Sequence, residues 1–314
     1  MIDINMSVCT LVDDSFSHTW AYHFTASFVG YMALSSIPFF YYYVNMTKEK
    51  WQYKTNPAYP KAQLVANEIV SATAYLVYNS LAVTVGAFLA ATGGAHGLIQ
   101  FHGYCFGSLS SPTWQYDLFQ LVIFLPMFDS HSYICHYLEH TWRRWWNGHR
   151  HHHLFPNASP YGSVAGIFFD AHGMFLFFLF VLFPFFIPIN LDLALIMFSS
   201  TAVFGAYHHS GHELSFISPH TTIFHSSYDH YVHHAHSYYG KVCNISALFI
   251  HWDNILGTRY KGTCKCVQCR PRRTEEEWAM TKKPDYTTLW KETDVWVEAF
   301  RHEILGYQRS EKRI

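Results

Sequence analysis

Histidines recur at helical spacing between residues 131 and 251, and they constrain the fold more than any other feature of the chain. The sequence has 23 histidines against 21 lysines and arginines together. Each of four groups contains histidines three or four positions apart, and this spacing places side chains on one face of a helix. The groups are His136/His140, His149/His152/His153, His208/His209/His212 and His230/His233/His234.

Each group can direct two or three imidazole nitrogens at one point, and imidazole binds iron, zinc, copper and nickel. Burying about ten imidazoles without a cation would leave many polar nitrogens to satisfy, at about 1–3 kcal/mol for each that stays unpaired. We therefore expect the groups to surround metal. For the isolated histidines we expect core or interfacial positions instead: His18, His23, His96, His102, His220 and His302.

The composition indicates a membrane protein. Half of the residues are hydrophobic and only 14% are charged, which is little charge for a soluble chain. The formal net charge of −1 gives no reason to expect a nucleic-acid partner. We expect an all-α integral membrane bundle with a histidine-rich cap on its cytosolic side. Its parts are predicted as N-terminal spans over 1–114, a di-metal catalytic region with further spans over 115–262, and a cytosolic tail over 263–314.

Four apolar stretches predict membrane crossings, each of which needs about 20 residues. They run from Trp20 to Val44, from Val65 to Ala91, from Tyr116 to Cys135 and from His172 to Tyr207. Because Pro184, Pro188 and Asn190 interrupt the last stretch, it predicts two helices turning inside the membrane or two tight crossings.

The basic residues predict which side of the membrane each segment faces. Lysine and arginine are absent before Lys48, between Lys61 and Arg143, and between Arg150 and Lys241. Because loops rich in lysine and arginine face the cytosol, we expect all the histidine groups and the tail there. The N-terminus and the loop 93–113 then face the lumen or the outside.

Seven cysteines at irregular positions do not predict a disulfide framework. Only Cys264, Cys266 and Cys269 lie close together in the sequence. Three thiols without an evident fourth ligand are a weak signal for zinc. We therefore expect a reduced, cytosol-facing surface segment at these positions.

The histidine strings carry a resemblance to a known family. They are HYLEH at His136–His140, HRHHH at His149–His153, HHSGH at His208–His212 and HYVHH at His230–His234. Their order resembles the fatty acid hydroxylase/sterol desaturase superfamily of membrane di-iron enzymes. Cys243-Asn244 and the string HWDNILGT at His251–Thr258 extend the resemblance, which begins at about Asp129.

The resemblance implies a helical bundle in the endoplasmic reticulum membrane whose cytosolic cap holds two iron ions. It also implies activation of O2, hydrogen abstraction from a lipid C–H bond, and electrons from NAD(P)H through cytochrome b5 and its reductase. Zinc in purified material would be compatible with this, because zinc binds such sites more tightly than ferrous iron. The implied ligands are His136, His140, His149, His152, His153, His212, His230, His233 and His234, with His208 or His209 completing the set.

Few acids accompany the histidines: Glu139, Asp170, Glu213, Asp229 and Asp253. We expect Glu139, Glu213 and Asp253 to accept imidazole N–H bonds and so set the ring tautomers. For Glu139 and Glu213 the alternative is a solvated position on the cap.

The substrate is suggested by two further resemblances. Asn56–Pro60 with Asn67-Glu68-Ile69 resembles the entrance segment of sterol C-5 desaturases, and His209–Thr258 resembles cholesterol 25-hydroxylase and sterol C-4 methyl oxidase. Both imply a sterol or another long, rigid lipid, and neither separates hydroxylation from desaturation. A fatty acyl or sphingolipid hydroxylase of the same family is the alternative.

Two other classes of protein would also use clustered histidines. A membrane metal transporter places its ligands at the bilayer midplane on broken helices, whereas these groups lie beside charged residues at the ends of spans. A haem protein with paired axial histidines would need the pairs inside apolar spans, and the spans before Asp129 have none.

Overall fold

The computed structural model describes residues 12, 15–91, 101–105, 113–167, 178–221 and 223–305. The expectations for His96, Asp170 and the first part of the segment His172–Tyr207 fall outside these residues, as does most of the loop 93–113. Within the described residues the chain is a helical bundle with only two short strands, which confirms the all-α prediction.

The elements follow one another in a simple order. The α-helices are α1 (Phe16–Phe39), α2 (Lys48–Trp51), α3 (Ala62–Ala91), α4 (Trp114–Thr141), α5 (Arg143–His149), α6 (Leu191–His209), α7 (Ser227–His236), α8 (His251–Ile255), α9 (Glu275–Met280), α10 (Thr288–Lys291) and α11 (Thr293–Glu303). Two π-helical turns lie at Phe40–Val44 and Phe178–Leu182, and three 3₁₀ turns at His152–Leu154, Pro160–Val164 and Phe183–Phe185. The parallel strands are β1 (Gly103–Tyr104) and β2 (Ile189–Asn190).

Three helices in the described part of the chain, α3, α4 and α6, are long and apolar enough to cross a membrane. Helix α1 covers most of the first predicted span; its 24 residues correspond to about 36 Å at 1.5 Å per residue. It is not among those three helices, and some of its polar groups pair with α3. Trp20 Nε1 donates to Ser80 Oγ (3.0 Å), and His23 Nδ1 lies 2.9 Å from Thr84 Oγ1. Pairing inside the bundle satisfies these groups without water.

The last apolar segment is interrupted at the prolines, as predicted. Pro184 lies in a 3₁₀ turn, and Pro188 immediately precedes β2. The side chain of Asn190 then caps α6 by accepting a hydrogen bond from the backbone N–H of Leu193 (3.1 Å). The chain therefore re-enters the bundle as a new helix, with its carboxyl end at the histidines.

The opposite end of the bundle is held together around Asp117, in the first turn of α4. Its Oδ1 accepts hydrogen bonds from the Tyr104 hydroxyl (2.6 Å) and from Asn190 Nδ2 (3.0 Å). Beside this network Cys105 is disulfide-bonded. The described cysteines from Cys135 onward are free, so the oxidised and the reduced cysteines belong to opposite ends of α4.

The tail packs against the loop that joins α1 to α3. Tyr286 donates a hydrogen bond to the carbonyl of Pro60 (2.7 Å) and shares a buried apolar cluster with Trp51. The guanidinium of Arg273 lies over the Trp51 ring (4.7 Å) and donates to the Lys54 carbonyl (2.6 Å). The tail holds three short helices, α9 to α11.

Helix α7 begins with a reciprocal cap. Ser226 Oγ accepts the backbone N–H of Asp229 (3.1 Å), and Asp229 Oδ2 accepts the backbone N–H of Ser226 (3.1 Å). Thr274 and Glu277 form the same arrangement at the start of α9. Ser226 is buried, whereas Thr274 is exposed, so the two caps form a matched pair.

We predict that Ser226→Ala costs about 1–2 kcal/mol of stability, the usual upper range for the loss of such a cap. Thr274→Ala should cost less, because water can reach the backbone N–H of Glu277 that loses its partner. The backbone N–H of Asp229, which Ser226→Ala leaves without its acceptor, is buried and stays unsatisfied. Thermal unfolding of the two purified variants in detergent measures the difference. Equal losses of stability would mean that the burial of the Ser226 cap adds nothing to its contribution.

Candidate metal centre

Five histidines form one group, named cluster A, whose ligand nitrogens all lie within 4.8 Å of one another. They come from the last turns of α4, the end of α5, the 3₁₀ turn that follows, and α7. Its members are His136, His140, His149, His153 and His233. All but His153 are buried, and His153 is half-buried.

Four further histidines, all buried, form cluster B by the same distance criterion: His152, His209, His230 and His234. Adjacent histidines of each HxxHH string divide between the clusters, with His152 in B and His153 in A, and with His233 in A and His234 in B. Neighbouring side chains point about 100° apart around an α-helix, so one helical turn can serve two sites. The doubled histidines therefore contribute ligands to two adjacent groups.

Backbone carbonyls fix the orientation of the rings. Nδ1 of His136, His152 and His233 donates to the carbonyls of Ile245, Ala165 and Cys243, each at 2.8 Å, and Nδ1 of His209 donates to that of Gly205 at 2.9 Å. A carbonyl can only accept, so each Nδ1 carries the proton and each Nε2 presents a lone pair. Such bonds set the tautomer and aim of metal-binding histidines.

The spacing of these lone pairs fits a cation. Nε2 of His209 lies 3.2 Å from Nε2 of His152 and 3.0 Å from that of His230, which lies 3.1 Å from Nε2 of His234. Nitrogens bound at about 2.0–2.1 Å to one metal lie about 3 Å apart when they are neighbours in its coordination sphere. In cluster A the buried His233 Nε2 has no hydrogen-bond partner among the described residues. The imidazole nitrogens of cluster A and those of cluster B therefore each suit a metal ion.

The rings are also held in the neutral form that ligation requires. Burial, followed by repulsion from neighbouring imidazoles, lowers the pKa of His149, His153, His233 and His234 well below the usual histidine value. Burial lowers the pKa of His230 in the same way. A lowered pKa favours the neutral imidazole, the form that binds a metal.

Two acids support cluster A in different ways. Glu139 is fully buried, and its Oε2 lies 3.3 Å from His149 Nδ1, the arrangement expected of an acid that orients a ligand ring. Asp253 instead accepts the backbone N–H groups of Ile245 and Ser246 at 3.0 and 3.1 Å. It holds the loop whose Ile245 carbonyl binds His136, so its contact with the imidazole is indirect. This differs from the direct imidazole bond expected for Asp253.

His212 and Glu213 also differ from expectation. Gly211, with φ of +66°, turns the chain away from the clusters, and its carbonyl accepts the N–H of Thr55 (2.8 Å). The His212 ring stacks on Tyr42, with centroids 4.0 Å apart, and the described residues place it in neither cluster. Glu213 accepts the backbone N–H of Val267 (2.9 Å) instead of an imidazole N–H. His212 therefore does not share a helix face with His208, because α6 has already ended.

The structure separates the two adjacent histidines at the end of α6. His209 belongs to cluster B, whereas His208 forms a third group with His225 and His230, and His208 Nε2 donates to the His225 carbonyl (2.9 Å). His225 was missed because it has no histidine neighbour at helical spacing. His220, expected in a core or an interface, lies instead with three cysteines: Cys264, Cys266 and Cys269.

A cavity of about 170 Å³ adjoins both clusters. Its lining includes ligand rings of both clusters and apolar side chains of the membrane-crossing helices. The apolar side chains from α4 and α6 include Phe128, Phe198, Ala202 and Phe204. A group inside this cavity would therefore lie beside both clusters and beside apolar side chains.

A comparison with protein-family models gives a match over part of the chain. The model described as fatty acid hydroxylase covers residues 121–258, which include every member of clusters A and B. No curated protein and no solved structure matches the chain significantly.

We predict that His233→Ala depletes the metal of cluster A and His234→Ala that of cluster B, each lowering the metal content from about two ions per chain toward one. His212→Ala is the matched control and should keep both ions, because its ring lies outside the clusters. Elemental analysis of purified protein gives the stoichiometry. A loss for His212→Ala as large as for the other two would show that the sequence spacing, and not the observed grouping, identifies the ligands.

Proposed function

Residues 121–258 form a domain of the fatty acid hydroxylase/sterol desaturase superfamily, and we propose that this chain uses it as an O2-dependent di-iron oxidoreductase acting on a membrane lipid. The family and the apolar helices make the chain a membrane oxidoreductase of the hydroxylase/desaturase type. The finer proposal is that it hydroxylates or desaturates a sterol, in the endoplasmic reticulum membrane. Cytochrome b5 and its reductase would deliver the electrons.

One observation supports this proposal most: the cavity that joins the histidine clusters to the membrane-crossing helices. His136 and His149 of cluster A line it together with His152, His209 and His230 of cluster B. The rest of the lining is mainly apolar. A binding site for a transported ion would instead be expected near the bilayer midplane with a polar route on each side. A lipid C–H bond next to two metals is the arrangement that lipid oxidation requires.

The residues of clusters A and B would hold the two irons. When bound, the iron pair supplies activation of O2 and abstraction of hydrogen from an unactivated C–H bond. The chain's own contribution is positional, since the carbonyls of Ile245, Ala165 and Cys243 keep the rings aimed inward. The aromatic lining excludes water from the reacting carbon, which limits side reactions of a strong oxidant.

The sterol assignment rests on two sequence resemblances, and in the first of them Glu68 acts through the scaffold. The buried carboxylate of Glu68 accepts the backbone N–H of Ser159 (3.1 Å) and is hydrogen-bonded by the Ser159 hydroxyl. Ser159 begins the segment that leads to Ala165, whose carbonyl orients His152. Glu68 therefore supports cluster B and does not line the cavity.

The size of the cavity favours a second candidate, a fatty acyl or sphingolipid hydroxylase. Pockets that enclose a drug-sized molecule usually measure about 300–1,000 Å³, and this cavity is smaller. It could take only the reacting end of a lipid, with the rest lying along the membrane-facing helices. A thin acyl chain meets this limit more easily than four fused rings do.

The proposed cytosolic orientation of the cap has two supports. The first is the distribution of lysine and arginine. The second is that disulfides persist in oxidising compartments: Cys105 is disulfide-bonded at one end of the bundle, and the five described cysteines at and beyond Cys135 are free. A cytosolic cap would also put the clusters within reach of a soluble reductase.

We predict that a tag after Ile314 is digested by protease in sealed microsomes while an N-terminal tag is protected. Both tags should be digested once detergent opens the vesicles, which serves as the control for protease activity. Protection of the C-terminal tag with digestion of the N-terminal one would invert the orientation.

We predict that expression in a host without its own sterol desaturases and hydroxylases produces an oxidised lipid that His233→Ala does not produce. Growth under ¹⁸O2 separates the reactions by mass spectrometry, since hydroxylation adds one heavy oxygen and desaturation removes two hydrogens. An oxidised sterol supports the first candidate, and an oxidised acyl chain supports the second. If reconstitution with iron, NADH, cytochrome b5 and its reductase also leaves sterols, sphingolipids and fatty acyl lipids unchanged, the protein is a metal-binding membrane protein instead.

A further inference from the structure

A second group of ligand atoms lies outside clusters A and B. Nε2 of His220 is 3.1 Å from Cys269 Sγ, 3.4 Å from Cys266 Sγ and 3.8 Å from Cys264 Sγ. All four ligand atoms lie within 4.8 Å of one another. Cys266 is fully buried, whereas His220 and Cys269 reach the surface.

The local backbone brings the thiols together. The N–H groups of Cys269 and Arg270 both bond to the carbonyl of Cys266, each at 3.0 Å. This turn places Cys266 and Cys269 side by side. His220 comes from the connector between α6 and α7, 44 residues before Cys264, so no local motif accounts for its presence beside the thiols. The Ser218 hydroxyl donates to Gln268 Oε1 (2.9 Å) and so ties the two segments together.

We propose that His220, Cys264, Cys266 and Cys269 form a structural zinc site. Zinc binds thiolate sulfur at about 2.3 Å and imidazole nitrogen at about 2.0–2.1 Å in tetrahedral geometry, and such sites with four protein ligands are closed to substrate. That geometry separates sulfur from nitrogen by about 3.5 Å, within the observed range of 3.1–3.8 Å. All four positions are filled by the protein, so the role is structural.

The position of the site explains what zinc would hold. Beside it, the backbone N–H of Lys265 donates to the Tyr228 hydroxyl (2.6 Å), and Cys266 packs with Tyr228 and Val232 of α7. Helix α7 supplies His230, His233 and His234 to the two clusters. Zinc would fasten both the connector that leads into α7 and the tail that packs against it. The proposal does not depend on which lipid is oxidised.

Cobalt substitution tests the proposal, because thiolate-to-cobalt charge transfer absorbs in the near ultraviolet and clusters made only of imidazoles cannot produce it. The full chain is purified from cells grown with cobalt, and again from cells grown with zinc. The wild type should show the thiolate band, and it should carry about one zinc per chain that a mercurial thiol reagent releases.

Three variants identify the ligands. Cys269→Ser should lose the band and the releasable zinc, Cys135→Ser is the thiol control and should keep both, and His220→Cys should keep zinc through four thiolates. The proposal is overturned if the cobalt-loaded wild type lacks the band, if Cys269→Ser leaves it unchanged, or if the thiols prove to be joined in a disulfide. Should Cys269→Ser fail to fold, the wild-type cobalt spectrum alone decides.

Discussion

The structure depends on hydrogen bonds that backbone carbonyls accept from imidazole Nδ1 atoms. Without them each ring could rotate or exchange tautomers, and a buried imidazole could satisfy itself elsewhere. The carbonyls of Ile245, Ala165 and Cys243 fix three rings so that the Nε2 lone pair of each ring points into the clusters. Nε2 of His152 and Nε2 of His209 both present lone pairs and lie 3.2 Å apart, so a cation between them would relieve their repulsion. The polypeptide therefore holds these imidazoles in the orientation that metal binding requires.

The carbonyls need rigid supports, and buried acids provide them. Asp253 holds the loop of Ile245 through two backbone N–H groups, and Glu68 holds the segment that begins at Ser159. Asp129 does the same for the backbone N–H groups of Leu248 and Phe249 (2.9 and 3.2 Å). These carboxylates replace water as acceptors in a region where apolar helices exclude it. Few acids accompany the histidines, and each described one has a specific hydrogen-bond or ion-pair partner.

The sequence predicted the architecture and most of the metal site, since both follow from local patterns. Hydrophobic length predicted the long helices, prolines predicted the break before α6, and helical spacing identified nine histidines that the two clusters contain. What the sequence could not supply is contact between distant segments. His225 and His220 have no histidine at helical spacing, and the turn at Gly211 removes His212 from a helix face that it would share only if α6 continued. The roles of Asp253 and Glu213 likewise depend on which loop folds against each carboxylate.

The central claim is that α7 divides its imidazoles between two adjacent metals. An experimental structure of the iron-loaded protein with anomalous X-ray scattering at the iron edge tests it directly. The account predicts two anomalous peaks, one bound by Nε2 of His233 and the other by Nε2 of His230 and His234, with the His212 ring bound to neither. A single peak shared by all three residues of α7, or a peak at His212, would contradict it.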